Sequence, residues 1–120
     1  MKSHRAVAAL VVIPLIMPLA VFAQDGTLVE KGKSVLAATS PKCTMCHAVA
    51  GQGNAKNPLD GVGDKLSAAD IKAWIRTPRE MAAKAKSQGK PPMMAYGPDK
   101  ISDADLDALA AYLLSLKAKK

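Results

Sequence analysis

The sequence is poor in the residues that usually fill or staple a small domain: 120 residues hold one Trp, two Tyr, one Phe, two Cys and two His. With the apolar amino-terminal stretch set aside, only Trp74, Tyr96 and Tyr112 remain as aromatic core material. A chain of this size is near the limit at which apolar burial alone sustains a fold. Two cysteines exclude a framework of several disulfides. Structural zinc needs four Cys or His ligands, and beside Cys43, Cys46 and His47 only His4 is left. No strand-length alternation of apolar and polar residues occurs, so the strand-helix-strand setting of a redox disulfide motif is missing too. The cations are not interleaved with aromatics and no recognition motif accompanies them, which argues against nucleic acid as a partner.

What is present is Cys43-Thr44-Met45-Cys46-His47. C-x-x-C-H reads as a site of c-type haem attachment. Each thiol can add to a haem vinyl group, and the adjacent imidazole can ligate the iron. A redox disulfide and half of a zinc site compete for the same residues, and both lack the companions just described. One covalent haem c would also supply the apolar bulk that the aromatic count does not, in the way metals or disulfides support other small exported domains.

Residues 1–23 look like an export signal. Lys2, His4 and Arg5 precede an apolar stretch from Ala6 to Ala20, and Val21-Phe22-Ala23 ends on small residues at the positions a signal peptidase reads. Cleavage after Ala23 leaves residues 24–120 as one domain outside the cytoplasm, periplasmic in a bacterium. The alternative is an uncleaved membrane anchor, against which Pro14 and Pro18 count. The mature part keeps 15 basic and 10 acidic side chains, a surplus that either favours acidic partners at low salt or is a solvated basic surface with no partner role.

Along the rest of the chain the pattern is helical. Thr27-Leu28-Val29-Glu30 is a capping box, and Leu28, Val29, Val35 and Leu36 follow on one face. Gly32, costly inside a helix, implies close approach by another element. Val49 to Asp64, rich in Gly, Asn, Asp and Pro, reads as a loop over the His47 side of a ligand. Ser67-Ala68-Ala69-Asp70 starts a helix carrying Ile71, Trp74 and Ile75, which must stop near Thr77 ahead of Pro78. Thr77-Pro78-Arg79-Glu80 starts another short helix, to about Lys86. Pro91-Pro92 stiffens the approach to Met93-Met94-Ala95-Tyr96, where an axial methionine is expected. Ser102-Asp103-Ala104-Asp105 opens a last helix with Leu106, Leu109, Leu113 and Leu116 at helical spacing.

In this order the segments resemble class I c-type cytochromes over essentially all of residues 24–120. The resemblance rests on Glu30-Lys31-Gly32, the Cys43 to His47 site, Pro58-Leu59-Asp60-Gly61-Val62-Gly63, Ile71 to Pro78, Pro91-Pro92-Met93 and Ala111-Tyr112-Leu113. It implies an all-α cytochrome c fold, about four short helices around one covalent haem, with the first and last helices crossing where Gly32 admits Tyr112. It implies that the Pro58 carbonyl accepts from His47, and that a methionine is the sixth ligand. Met93 fits the M-x-A-aromatic arrangement, and Met94 fits an M-x-aromatic one. Trp74 is expected to line the pocket or donate to a haem propionate. By the same resemblance the chain is a one-electron carrier between periplasmic or membrane redox partners, docking at the haem edge with Lys and Arg steering. The alternative is a haem-bearing subunit of a larger dehydrogenase or oxidase complex. Autonomous catalysis is not expected, because no histidine other than His47 remains as a distal acid-base group; membrane contact is expected only through partners or an uncleaved amino terminus.

Overall fold

The computed structural model describes residues 22–87 and 89–119, so the expected signal or anchor lies almost wholly outside the described residues. Within them are four α-helices: α1 (Phe22–Ala38), α2 (Ala68–Arg76), α3 (Pro78–Lys84) and α4 (Asp103–Ser115). Short 3₁₀ turns occupy Cys43–Met45 and Val62–Asp64. A ribbon of two residues a side, β1 (Ala48–Val49) against β2 (Gln52–Gly53), is the strand structure. Its turn residues Ala50 and Gly51 both have positive φ, 50° and 77°, the pattern of a tight two-residue hairpin. Among the described residues no helix is long and apolar enough to cross a membrane.

The capping signals act unequally. Ser67 forms the expected box, accepting from the Asp70 N–H at 3.1 Å while its own N–H donates to the Asp70 carboxylate. Ser102 caps α4 by accepting from the Asp105 N–H at 3.1 Å, but Asp105 turns to Lys31 on α1 at 3.0 Å instead of closing a box. Thr27 does not start α1. A box marks a competent start, yet it cannot stop a helix already running from Phe22, and no proline lies between Phe22 and Ser40. Thr77 makes no capping bond to α3; its hydroxyl donates back to the Ala73 carbonyl at 3.2 Å, closing α2. The break itself is where Pro78 requires it.

The core forms where α4 lies across α1 and α2. Leu109 and Ile101 are essentially solvent-free, and Leu36, Ile71, Ile75, Tyr96, Leu106, Tyr112 and Leu113 pack around them. Gly32 marks the α1–α4 crossing: a Cβ there would run into the Ala108 carbonyl and the Tyr112 Cβ. Gly63 is its counterpart under the end of α4, against the Leu114 carbonyl, with the Gly63 N–H donating to Leu116 at 3.1 Å. The acids of α4 are each matched by a cation from another helix, Asp103 with Arg76 and Asp107 with Lys72 at 2.8 Å besides Lys31–Asp105. Such exposed pairs contribute little each, about 0–1 kcal/mol, but three of them fix which face of α4 meets α1 and α2.

Candidate functional site

The turn that carries the two thiols begins where α1 ends. Thr39, 6% exposed, folds its hydroxyl onto the Val35 carbonyl at 2.7 Å, and Pro41 follows. The chain then tightens into a 3₁₀ turn, with the Cys46 and His47 N–H groups both donating to the Cys43 carbonyl, at 3.1 and 2.9 Å. Residues i and i+3 eclipse in such a turn, so Cys43 and Cys46 leave the backbone on the same side. Both are free thiols, Cys43 half-buried and Cys46 exposed. Burial pushes the Cys43 thiol up and the neighbouring Cys46 adds to the effect. Met45 between them is 68% exposed and belongs to the surface.

His47 is half-buried, and its Nδ1 donates to the Asn57 carbonyl at 3.1 Å. That bond fixes the tautomer and leaves the Nε2 lone pair available to a metal, with the carbonyl raising its basicity. The acceptor is therefore Asn57 and not the expected Pro58. Ala48 pairs with Pro58 in a parallel bridge, in which the Ala48 N–H donates to Asn57 and the Leu59 N–H donates to Ala48. In that arrangement the carbonyl facing Ala48 and His47 is the one before Pro58. The ribbon holds the turn from the other side: the Asn54 N–H is shared between the Thr44 and His47 carbonyls, both at 3.2 Å. Gly53, at φ 101°, allows this approach, since a Cβ there would collide with the His47 carbonyl.

The methionines lie beside a separate cavity, one that Cys43, Cys46, His47 and Trp74 do not line. This cavity of about 400 Å³ is bounded by Thr77, Pro78 and Arg79 on one side and Pro92, Met93 and Met94 on the other. Met93 is half-buried and packs on the central core, as Cys43 does. Met94 is 47% exposed. Trp74 is half-buried on α2, one turn before this wall.

Tyr96, the aromatic three residues after Met93, joins the methionine segment to the thiol turn. It is 5% exposed, and its phenol donates to the Pro41 carbonyl at 2.8 Å, two residues before Cys43. Burial raises its pKa, and the nearby Cys43 and Cys46 thiols raise it further, so the phenol keeps its proton and its role as donor. The scarcity of aromatics was the one signal that could have singled it out.

These residues fit a covalently held haem. Two same-side thiols, an imidazole with one nitrogen committed to a carbonyl, and a thioether on the same core form the required donor set. Among the described residues no three His, Cys, Asp or Glu side chains converge, where structural zinc takes four ligands.

The profile of the Cytochrome c family matches residues 29–117. The chain is also similar to cytochrome c oxidase subunit 2 of Alkalihalophilus pseudofirmus, 38% identical over 100 aligned positions, covering 76% of this chain and 26% of the relative. The chain thus spans about a quarter of the length of that curated relative. No solved structure matches it.

Proposed function

Because the chain belongs to the cytochrome c family, we propose that it binds one haem c through Cys43 and Cys46, that His47 and Met93 would ligate its iron, and that it passes single electrons between redox partners outside the cytoplasm. The observation that carries this reading is the Cys43–His47 turn with its imidazole already oriented by Asn57. Held by these residues, haem would supply a ferrous/ferric couple. The protein's part is to keep that couple rigid and dry. The turn at Cys43, the carbonyl on His47 and the packing of Met93 would restrain the donors and so keep rearrangement on electron transfer small. Met93 is preferred to Met94 because it is packed on the core whereas Met94 faces solvent.

An optical redox titration of the matured protein tests this. The expected result is one reversible one-electron transition with no peroxide turnover; a ferrous form that rapidly consumes peroxide would make it an enzyme instead.

A second reading is favoured by the similarity to an oxidase subunit: the chain serves as the haem-bearing part of a larger complex. Purification from native membranes separates the two, since a subunit would migrate with its complex and a free carrier alone. Export is proposed from the amino-terminal pattern, and a mature protein beginning at Gln24 would support it.

A further inference from the structure

Residues 91–97, which contain both methionines, belong to no helix or strand, so their position depends on the ties that single residues make. Tyr96 makes three of them. Its N–H donates to the Ile75 carbonyl at 2.9 Å. Its carbonyl accepts from Arg76 Nη1 at 2.8 Å. Its phenol reaches Pro41 at 2.8 Å, across 55 residues of sequence.

Each tie leads to a different part of the fold. The Ile75 carbonyl lies in the last turn of α2, where a helix leaves its carbonyls without internal donors, and Pro78 is the reason α2 ends there. Arg76, with a side chain 19% exposed, is itself fixed to Asp103 at the start of α4 at 2.8 Å. Pro41 leads straight into the thiol-bearing turn.

We propose that Tyr96, supported by Arg76, is a positioning residue for the axial methionine: its ties to Pro41, Ile75 and Arg76 lock the Met93 segment to the haem-attachment turn and set how easily another ligand displaces Met93. This rests on the reading that Met93 ligates the iron. Met93 lies three residues from the locked backbone, behind Pro91 and Pro92, so little freedom remains for it to swing away. Removing the phenolic oxygen keeps the ring in the core and releases only the bond to Pro41, so the Met93 segment and the haem-attachment turn lose a direct connection without losing packing.

The test is a titration of the ferric holoprotein with imidazole, following loss of the weak near-infrared sulfur-to-iron charge-transfer band. In Tyr96→Phe the imidazole concentration for half-displacement should fall about five- to tenfold, the weight of one buried hydrogen bond. Arg76→Gln should move it in the same direction, and it carries the comparison if the first variant fails to mature. Leu106→Ala, which opens core space on α4, should lower the melting temperature with no change in imidazole affinity. Unchanged imidazole affinity in both Tyr96→Phe and Arg76→Gln, or an equal change in Leu106→Ala, would overturn the proposal and leave Tyr96 as ordinary core. A band that survives Met93→Ala would instead overturn the ligand reading, and this proposal with it.

Discussion

At the scale of single residues, the side chains proposed to hold the cofactor differ from their neighbours by how they are held. Met93 and Met94 are adjacent on the same cavity wall, yet one packs on the core and the other is 47% exposed. Met93→Ala should therefore abolish the charge-transfer band of the ferric protein, while Met94→Ala leaves it in place; the reverse pattern would assign the ligand to Met94. The carbonyl on His47 gives a second contrast. Because Asn57 contributes only its backbone oxygen, Asn57→Ala should leave the reduction potential and the visible spectrum close to those of the parent. A large shift in either would mean that the Asn57 side chain, not its carbonyl, supports the imidazole. The pentapeptide from Cys43 to His47 was legible in the sequence because its chemistry is local. Asn57 was not, since the choice between the carbonyl before Pro58 and that of Pro58 is made by a backbone bridge to Ala48. Tyr96 was not either, because its partners at positions 41, 75 and 76 are brought to it only by the fold.

At the scale of helices, the α1–α4 crossing is the most exacting contact. A methyl group at Gly32 would meet the Ala108 backbone, which cannot rotate out of the way. Overpacking of that kind costs about 1–3 kcal/mol, against roughly 1 kcal/mol that alanine gains over glycine in a helix. The overpacking wins, so Gly32→Ala should lower the melting temperature by several degrees, at about 4–8 °C per kcal/mol for a domain of this size. A higher melting temperature would show that the helices can separate freely. The Lys31–Asp105 pair adds a pH signature. Lys31 first, then Ser102, holds the Asp105 carboxyl below its ordinary value of 3.8. A depressed folded-state pKa gives support that is complete above the unfolded value and is lost as pH falls through the folded one. The difference in melting temperature between the parent and Asp105→Asn should thus be present at about pH 6 and vanish toward about pH 2; a difference that persists in acid would have another cause. Helix positions were largely legible, because Ser67, Ser102 and Pro78 act within a few residues of themselves. The start of α1 was not, because the box at Thr27 lies inside a helix that begins five residues earlier.

For the whole molecule, the shortage of aromatics and the cytochrome c fold are two sides of one arrangement. Helices α1, α2 and α4 share a core built mainly from Leu, Ile and Tyr, and two of the half-buried residues around it, Cys43 and Met93, are among those proposed to hold the cofactor. The basic surplus of the chain should make electron exchange with an acidic partner slow as salt is raised, since screening shortens the reach of the attraction. An exchange rate unaffected by ionic strength would remove charge from the docking account. The most direct measurement is the intact mass of protein matured in a host able to attach haem, taken after denaturation together with the visible spectrum. The account predicts the polypeptide plus one haem, red and not extractable by acid, with the single variants Cys43→Ala and Cys46→Ala poorly folded. A colourless product at the mass of the polypeptide alone would contradict it.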